Sequence, residues 1–150
     1  MKTLQLQRKI LNGIGKKNPD NYHYSKIEEY KRVALTDGFV LWSIDEDDLL
    51  INLDRLKESN LTQFLEVNPS DLQLLEVKEY FREPGDKEEY VRLQGKDTGK
   101  IYIKSKFLEF FEDYELLGTG PKKPVYVAEE GRTGATGVIM PIVMKGEYYD

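Results

Sequence analysis

Apolar residues recur at a helical interval near the start of the chain. Leu6, Ile10 and Ile14 fall every four residues, with Leu11 beside them, so residues 3–17 are predicted to form a helix. Thr3 is its candidate N-cap. Gly13 and Gly15 weaken the last turn, and Asn18-Pro19-Asp20 ends it. From residue 22 the period changes to two. Tyr22, Tyr24 and Ile27 open a strand. Val33 and Leu35 precede Asp37-Gly38, and Val40, Trp42 and Ile44 follow it at alternating positions. Asp-Gly within an apolar run is a strong short-range hairpin signal.

The pattern then blurs. Leu49, Leu50, Ile51, Leu53 and Leu56 mix both periods. Asn68-Pro69-Ser70-Asp71 is a break, and Ser70 or Asp71 is placed to cap a helix running toward Phe81. Residues 72–81 suit a helix or a strand equally, because a short apolar run does not distinguish the two. Glu83-Pro84-Gly85-Asp86 is a turn.

Periodicity returns afterwards. Val91 and Leu93 alternate with Tyr90, Arg92 and Gln94, and Ile101 and Ile103 follow a turn over residues 95–100, predicting a hairpin. Residues 105–117 are predicted to form a second helix. Ser105 caps it, Phe107, Leu108, Phe110, Phe111 and Leu116 form its apolar face, and Gly118 closes it in a left-handed cap. Two strands follow, over 124–128 and 138–144, joined by a loop holding Gly131, Gly134 and Gly137. The nearly unbroken apolar run of the last strand implies burial on both faces, or one face kept for a partner. Pro141 lacks a donor and favours a sheet edge or bulge there.

Composition narrows the function. The chain has 150 residues, 39% of them hydrophobic and 33% charged, which suits one globular domain or a compact pair of subdomains; the order of elements above makes it α+β, taken as a single domain over residues 1–150. The absence of cysteine excludes disulfides and thiolate chemistry, and fits a reducing, cytoplasmic setting. The first residues reach charge too early for a signal peptide, and no apolar run is long enough to span a membrane. The net charge of −5 argues against general nucleic-acid binding. Arg8, Lys9, Lys16 and Lys17 nevertheless share the outer side of the first helix. The second helix carries Glu109, Glu112, Asp113 and Glu115 outward.

Catalytic and metal motifs fail on inspection. The acidic stretch from Asp45 has Leu50 where a calcium loop needs glycine. Only three residues separate Gly95 from Gly99, and Ile101 stands where a phosphate loop needs Ser or Thr. His23 is the single histidine, and no nucleophile motif surrounds Ser25, Ser43, Ser59, Ser70 or Ser105. No catalytic residue, metal or cofactor is expected.

Three stretches resemble one family. Lys123-Pro-Val-Tyr-Val127 followed by Val138-Ile-Met-Pro-Ile-Val143 is similar to the closing strands of the bacterial DNA polymerase sliding clamp, the replication processivity factor. Tyr102-Ile-Lys-Ser-Lys-Phe-Leu108 resembles that family's strand-to-helix entry. Ala34-Leu-Thr-Asp-Gly-Phe-Val-Leu41 resembles its Ala-Thr-Asp-Gly-His-Arg-Leu turn, with Leu35 inserted and Phe39 and Val40 replacing His and Arg. Coverage is good over 99–144, moderate over 20–44 and poor over 45–95.

The resemblance implies a sliding-clamp-like (DNA clamp) domain with two helices packed on one side of antiparallel strands. It implies a non-enzymatic tethering protein that binds partners through a short apolar peptide. Thr36, Gly38, Leu41, Val138, Met140 and Pro141 would line that groove. Arg8, Lys9, Lys16 and Lys17 would face double-stranded DNA. A single domain would need a homo-oligomer of about six chains to close a ring, and the acidic second helix would repel phosphate. The other expectation is therefore a monomeric or dimeric protein-binding module, or a clamp-interacting accessory, that does not encircle DNA. A free-standing domain of this kind suits a phage or mobile element.

Overall fold

The computed structural model describes residues 1–15 and 21–150. Among these described residues there are one α-helix, α1 (Thr3–Ile14), and ten strands. These are β1 (His23–Ile27), β2 (Arg32–Thr36), β3 (Val40–Asp45), β4 (Lys57–Glu58), β5 (Gln73–Phe81), β6 (Tyr90–Gln94), β7 (Lys100–Lys104), β8 (Tyr114–Gly118), β9 (Val125–Glu129) and β10 (Gly137–Ile139). They join in one sheet in the order β4-β1-β2-β3-β10-β9-β8-β5-β6-β7. Every pairing is antiparallel except β1 with β4. The fold is thus mixed α+β.

Two three-strand meanders, β1-β2-β3 and β8-β9-β10, meet at their last strands. Gly137 pairs with Trp42, Val138 with Leu41 and Ile139 with Val40. Each meander follows a helical segment, α1 for the first and the single 3-10 turn Ser105–Leu108 for the second. Alternation decides which face each side chain takes. Val33, Leu35, Val40, Trp42 and Ile44 share the main core with Leu6 and Ile10 of α1 and with Phe107, Leu108, Phe110 and Phe111. Ala34, Leu41 and Val138 point to the other face, where they meet Ile27 and Leu61 in a smaller cluster. The two helical segments therefore cover one face, and that cluster lies on the opposite one.

Several expectations need correction. The helix begins with Lys2 as its N-cap, and Thr3 makes no capping bond. Leu6 and Ile10 are buried as the four-residue spacing requires, while Leu11 stays exposed. Residues 105–117 are not a helix. Asp113 adopts a left-handed backbone, φ 44°, which ends helical winding. The amide of Glu112 donates to the Glu129 carboxylate at 2.9 Å, and the Asp113 carbonyl accepts from Glu130 N at 2.8 Å. Backbone groups that a helix would pair internally are thus taken by a neighbouring strand. Tyr114 to Gly118 continue as β8, and Gly118 is a strand residue, not a cap. The expected pair of helices reduces to one helix and one turn.

The ambiguous segment 72–81 is strand β5, flanked by β8 and β6. Asn68, not Ser70 or Asp71, organises the turn before it, accepting from Ser70 N at 3.1 Å. The closing strand stops at Ile139. Met140 N still donates to Phe39 O at 2.9 Å, but Pro141 has no donor to offer. At the next residue Ile142 N reaches Tyr102 O on β7 at 2.8 Å, so the chain changes partner.

One buried polar residue ties α1 to the segment that follows β3. Gln7, only 2% exposed, donates to Asp48 O at 2.9 Å and accepts from Leu50 N at 2.6 Å and Ile51 N at 3.2 Å. Replacing it with Leu strands these backbone groups, at about 1–3 kcal/mol for each orphaned group. We expect Gln7→Leu to lose roughly 2–4 kcal/mol in urea unfolding.

At the far edge, Tyr90 Oη donates to Asp86 Oδ2 at 2.6 Å. That bond pushes the Tyr90 phenol up to about 12. The same bond, with help from Glu88 N, holds the Asp86 carboxyl below its usual 3.8. Its contribution to stability is present above that ordinary value and fades as pH falls through the lowered one. A ¹³C-tyrosine NMR titration should place Tyr90 near 12, and Asp86→Ala should return it toward 10.

Candidate functional site

The β2–β3 turn is built by its own side chains. Asp37 Oδ1 accepts from Phe39 N and Val40 N, both at 2.9 Å. Thr36 Oγ1 donates to Val40 O at 2.8 Å and accepts from Gly38 N at 3.0 Å. Gly38 sits at φ 96°, a region open to glycine. This locally closed network fixes the turn and pushes Phe39 outward, where it stacks on Phe107 at 6.0 Å between centroids.

An apolar hollow of about 180 Å³ opens beside that turn. It is lined by Thr36, Gly38 and Leu41 from the hairpin and by Val138 and Met140 from the end of β10. Phe39, Val40, Leu61 and Phe64 complete it. Leu41, Leu61 and Val138 form its buried floor, while Phe39, Phe64 and Met140 are exposed at the rim. Five of the six groove residues named from the sequence share this hollow. Pro141 follows Met140 but does not line it. Leu61 and Phe64 were not visible in the sequence, since they lie in the stretch without clear period. Their turn, Thr62–Phe64, carries Leu61 onto the cluster of Ala34, Leu41 and Val138. Phe39 did carry a signal: it is a large apolar residue directly after an Asp-Gly turn.

The basic side of α1 is elsewhere. Arg8 and Lys9 line an open hollow of about 510 Å³ with Tyr22, Glu109 and Phe110. Lys9 Nζ lies 3.8 Å from Glu109 and 5.3 Å from the centre of the Phe110 ring. Lys16 and Lys17 fall outside the described residues. Glu109, Glu112, Asp113 and Glu115 are all exposed, as an acidic outer face requires.

A third hollow, about 590 Å³, lies between the end of β1 and the glycine-bearing loop before β10. Its walls include Arg32 and Arg132. Asp45 bridges the two arginines at 2.9 and 2.7 Å. Arg32 also donates from Nε to Ser43 Oγ at 2.7 Å. Burial lowers the Arg32 guanidinium below its ordinary value, against the opposing pull of Asp45. Both arginines are thus engaged within the chain, and the arrangement works as a structural clip between β2, β3 and the loop.

His23 Nδ1 lies 2.5 Å from Ser59 Oγ, a contact that holds β1 to the segment after β4. Among the described residues, no cluster of three or more His, Asp or Glu is placed to hold a metal ion. No helix among them is long and apolar enough to cross a membrane. Comparison with protein-family models, curated proteins and solved structures finds no match.

Proposed function

We propose that this chain is a non-enzymatic protein-binding module, of sliding-clamp-like organisation, that captures a partner's short apolar peptide. The observation that carries the reading is the meeting of Thr36, Gly38, Leu41, Val138 and Met140 in one apolar hollow. Those positions lie about 100 residues apart in sequence.

The size and lining define the occupant. A cavity of about 150 Å³ lined by aliphatic and aromatic groups takes up benzene. The hollow here is slightly larger, about 180 Å³. It has room for one anchor side chain of Leu or Phe size, and falls short of the roughly 300 Å³ typical of small-molecule sites. Met140 and Phe64 at the rim are adaptable and aromatic, as promiscuous peptide grooves tend to be. The absence of charged lining residues favours an apolar anchor over an ionic one.

A DNA-encircling ring draws less support. Lys9 stands 3.8 Å from Glu109, and the exposed Glu112, Asp113 and Glu115 that follow on the same segment would repel phosphate. We therefore favour the module over the processivity ring, with DNA outside its binding repertoire. The test is selection of random twelve-residue peptides on the immobilised protein. The expected winners carry a Leu or aromatic anchor and lose binding to the Met140→Glu protein, whose changed residue is exposed. Winners without an apolar anchor, or no winners at all, would refute the groove.

A further inference from the structure

The hollow between the end of β1 and the loop before β10 has a chemistry that the peptide groove lacks. Its volume of about 590 Å³ lies inside the range of roughly 300–1,000 Å³ that small-molecule sites occupy. It shares no lining residue with the groove. Its basic side is held in place from within. Arg32 donates from Nε to Ser43 Oγ at 2.7 Å, from Nη1 to Asp45 at 2.9 Å and from Nη2 to the Ser43 carbonyl. Arg132, its side chain 44% exposed, pairs through one nitrogen with Asp45 at 2.7 Å. A guanidinium carries five N–H donors, so the two side chains keep several for a ligand. One carboxylate between two guanidiniums also leaves one positive charge over. Burial is the main cause lowering the Arg32 guanidinium, Asp45 opposes it, and the neighbouring Arg132 charge adds to the lowering.

The loop supplies further donors. The amides of Arg132 and Thr136 are paired, with Glu129 O at 3.2 Å and Val127 O at 2.8 Å. Those of Thr133, Gly134 and Ala135, between them, donate to no partner among the described residues. All three residues line the hollow. Gly134 sits at φ 77°, and a Cβ there would meet nothing within 4 Å. Packing therefore does not demand this glycine; its left-handed backbone does. Turns of this kind gather successive N–H groups into concavities that bind phosphate. The arginines add the planar fork that phosphate oxygens fit.

The remaining walls disfavour a bare anion. Glu29 and Glu66 line the hollow and are exposed. They repel a ligand that brings negative charge alone, and accept from one that also brings hydrogen-bond donors. Tyr30 lines it too and is 68% exposed, which offers an aromatic face. Leu65 and Val67 add apolar area beside it. A phosphate, hydroxyl and amino donors, and a flat ring occur together in a nucleotide, and any base has a face that stacks on an aromatic side chain. We infer that this hollow binds a nucleoside monophosphate, with its phosphate on Arg132 and the amides of residues 133–135 and its base against Tyr30.

Titration of the ¹⁵N-labelled protein with adenosine 5′-monophosphate tests it. Half-saturation should fall below roughly 1 mM, with amide shifts at Arg132, Thr133, Gly134 and Ala135 and none at the groove residues Thr36, Gly38 and Val138. Inorganic phosphate and adenosine each carry only part of the ligand and should bind at least ~10-fold more weakly. Arg132→Ala removes charge-assisted bonds and should weaken the nucleotide at least ~10-fold. Tyr30→Ala should weaken it ~5-fold or more and leave inorganic phosphate unchanged. Tyr30 lies outside the core, so this second variant separates a lost ligand contact from a disturbed fold, and circular dichroism checks both proteins. An absence of shifts up to roughly 10 mM nucleotide overturns the inference. So does binding that survives both variants, or inorganic phosphate that binds as tightly as the nucleotide.

Discussion

Met140→Glu should abolish capture of an apolar-anchored peptide while leaving the fold standing. Met140 is 43% exposed, so the free protein can turn the new carboxylate into water. Exposed substitutions usually change stability by no more than ~0.5 kcal/mol, and the melting temperature should barely move. The bound state is different. An anchor entering between Phe39, Phe64 and Val138 would close the hollow over residue 140. It would bury the carboxylate without a partner, a cost of several kcal/mol. We expect at least a ~100-fold loss of affinity, the size of a central interface residue. Fluorescence anisotropy with a selected peptide measures it. Unchanged affinity would remove Met140 from the groove.

Gly137→Val should have the largest effect on stability. A Cβ at Gly137 would lie 2.2 Å from Cζ and 2.3 Å from Cε1 of Phe111, and 3.3 Å from Leu41 O. Phe111 is 4% exposed, within the main core, and has no free volume to enter. Gly137 also forms the first rung of the ladder that joins the two meanders. Moving either the ring or the strand disturbs both. Overpacking a core costs about 1–3 kcal/mol, and valine adds two further methyl groups at this point. We expect a loss of roughly 3 kcal/mol or more, which lowers the melting temperature by about 6–12 °C for a chain of this size. Differential scanning calorimetry reads the shift. Trimming the obstacle with Phe111→Leu should recover part of the loss in the double variant, because the two sites share one space.

Part of this fold was legible from residue pattern alone. The spacing of Leu6, Ile10 and Ile14 marked α1. Asp37-Gly38 marked the β2–β3 hairpin, and the alternation around Val91 and Ile101 marked β6 and β7. In each case local chemistry and tertiary position agree. The second helix was misread because Phe107, Leu108, Phe111 and Leu116 imitate helical spacing. Nothing in the local sequence announces that Asp113 turns left-handed, or that Glu129 and Glu130 take the backbone groups of Glu112 and Asp113. β5 was undecided for a related reason. Only Leu75 of its nine residues is buried and residues 76–80 are exposed, so no alternating burial pattern was written into them.

The groove divides in the same way. Thr36, Gly38, Leu41, Val138 and Met140 stood out through a resemblance, and they line one hollow. Leu61 and Phe64 did not, because a single 3-10 turn delivers them and leaves no period to detect. Their contribution depends on the sheet face below, where Ala34, Leu41 and Val138 receive Leu61.

The most direct test of the central claim is an amide chemical-shift map of the ¹⁵N-labelled protein, titrated with a selected Leu- or Phe-anchored peptide. Our account predicts shifts concentrated at Thr36, Gly38, Phe39, Leu61, Phe64, Val138 and Met140, with the α1 face silent. Shifts centred on Arg8, Lys9 and Glu109, or on the hollow beside Arg32 and Arg132, would contradict it.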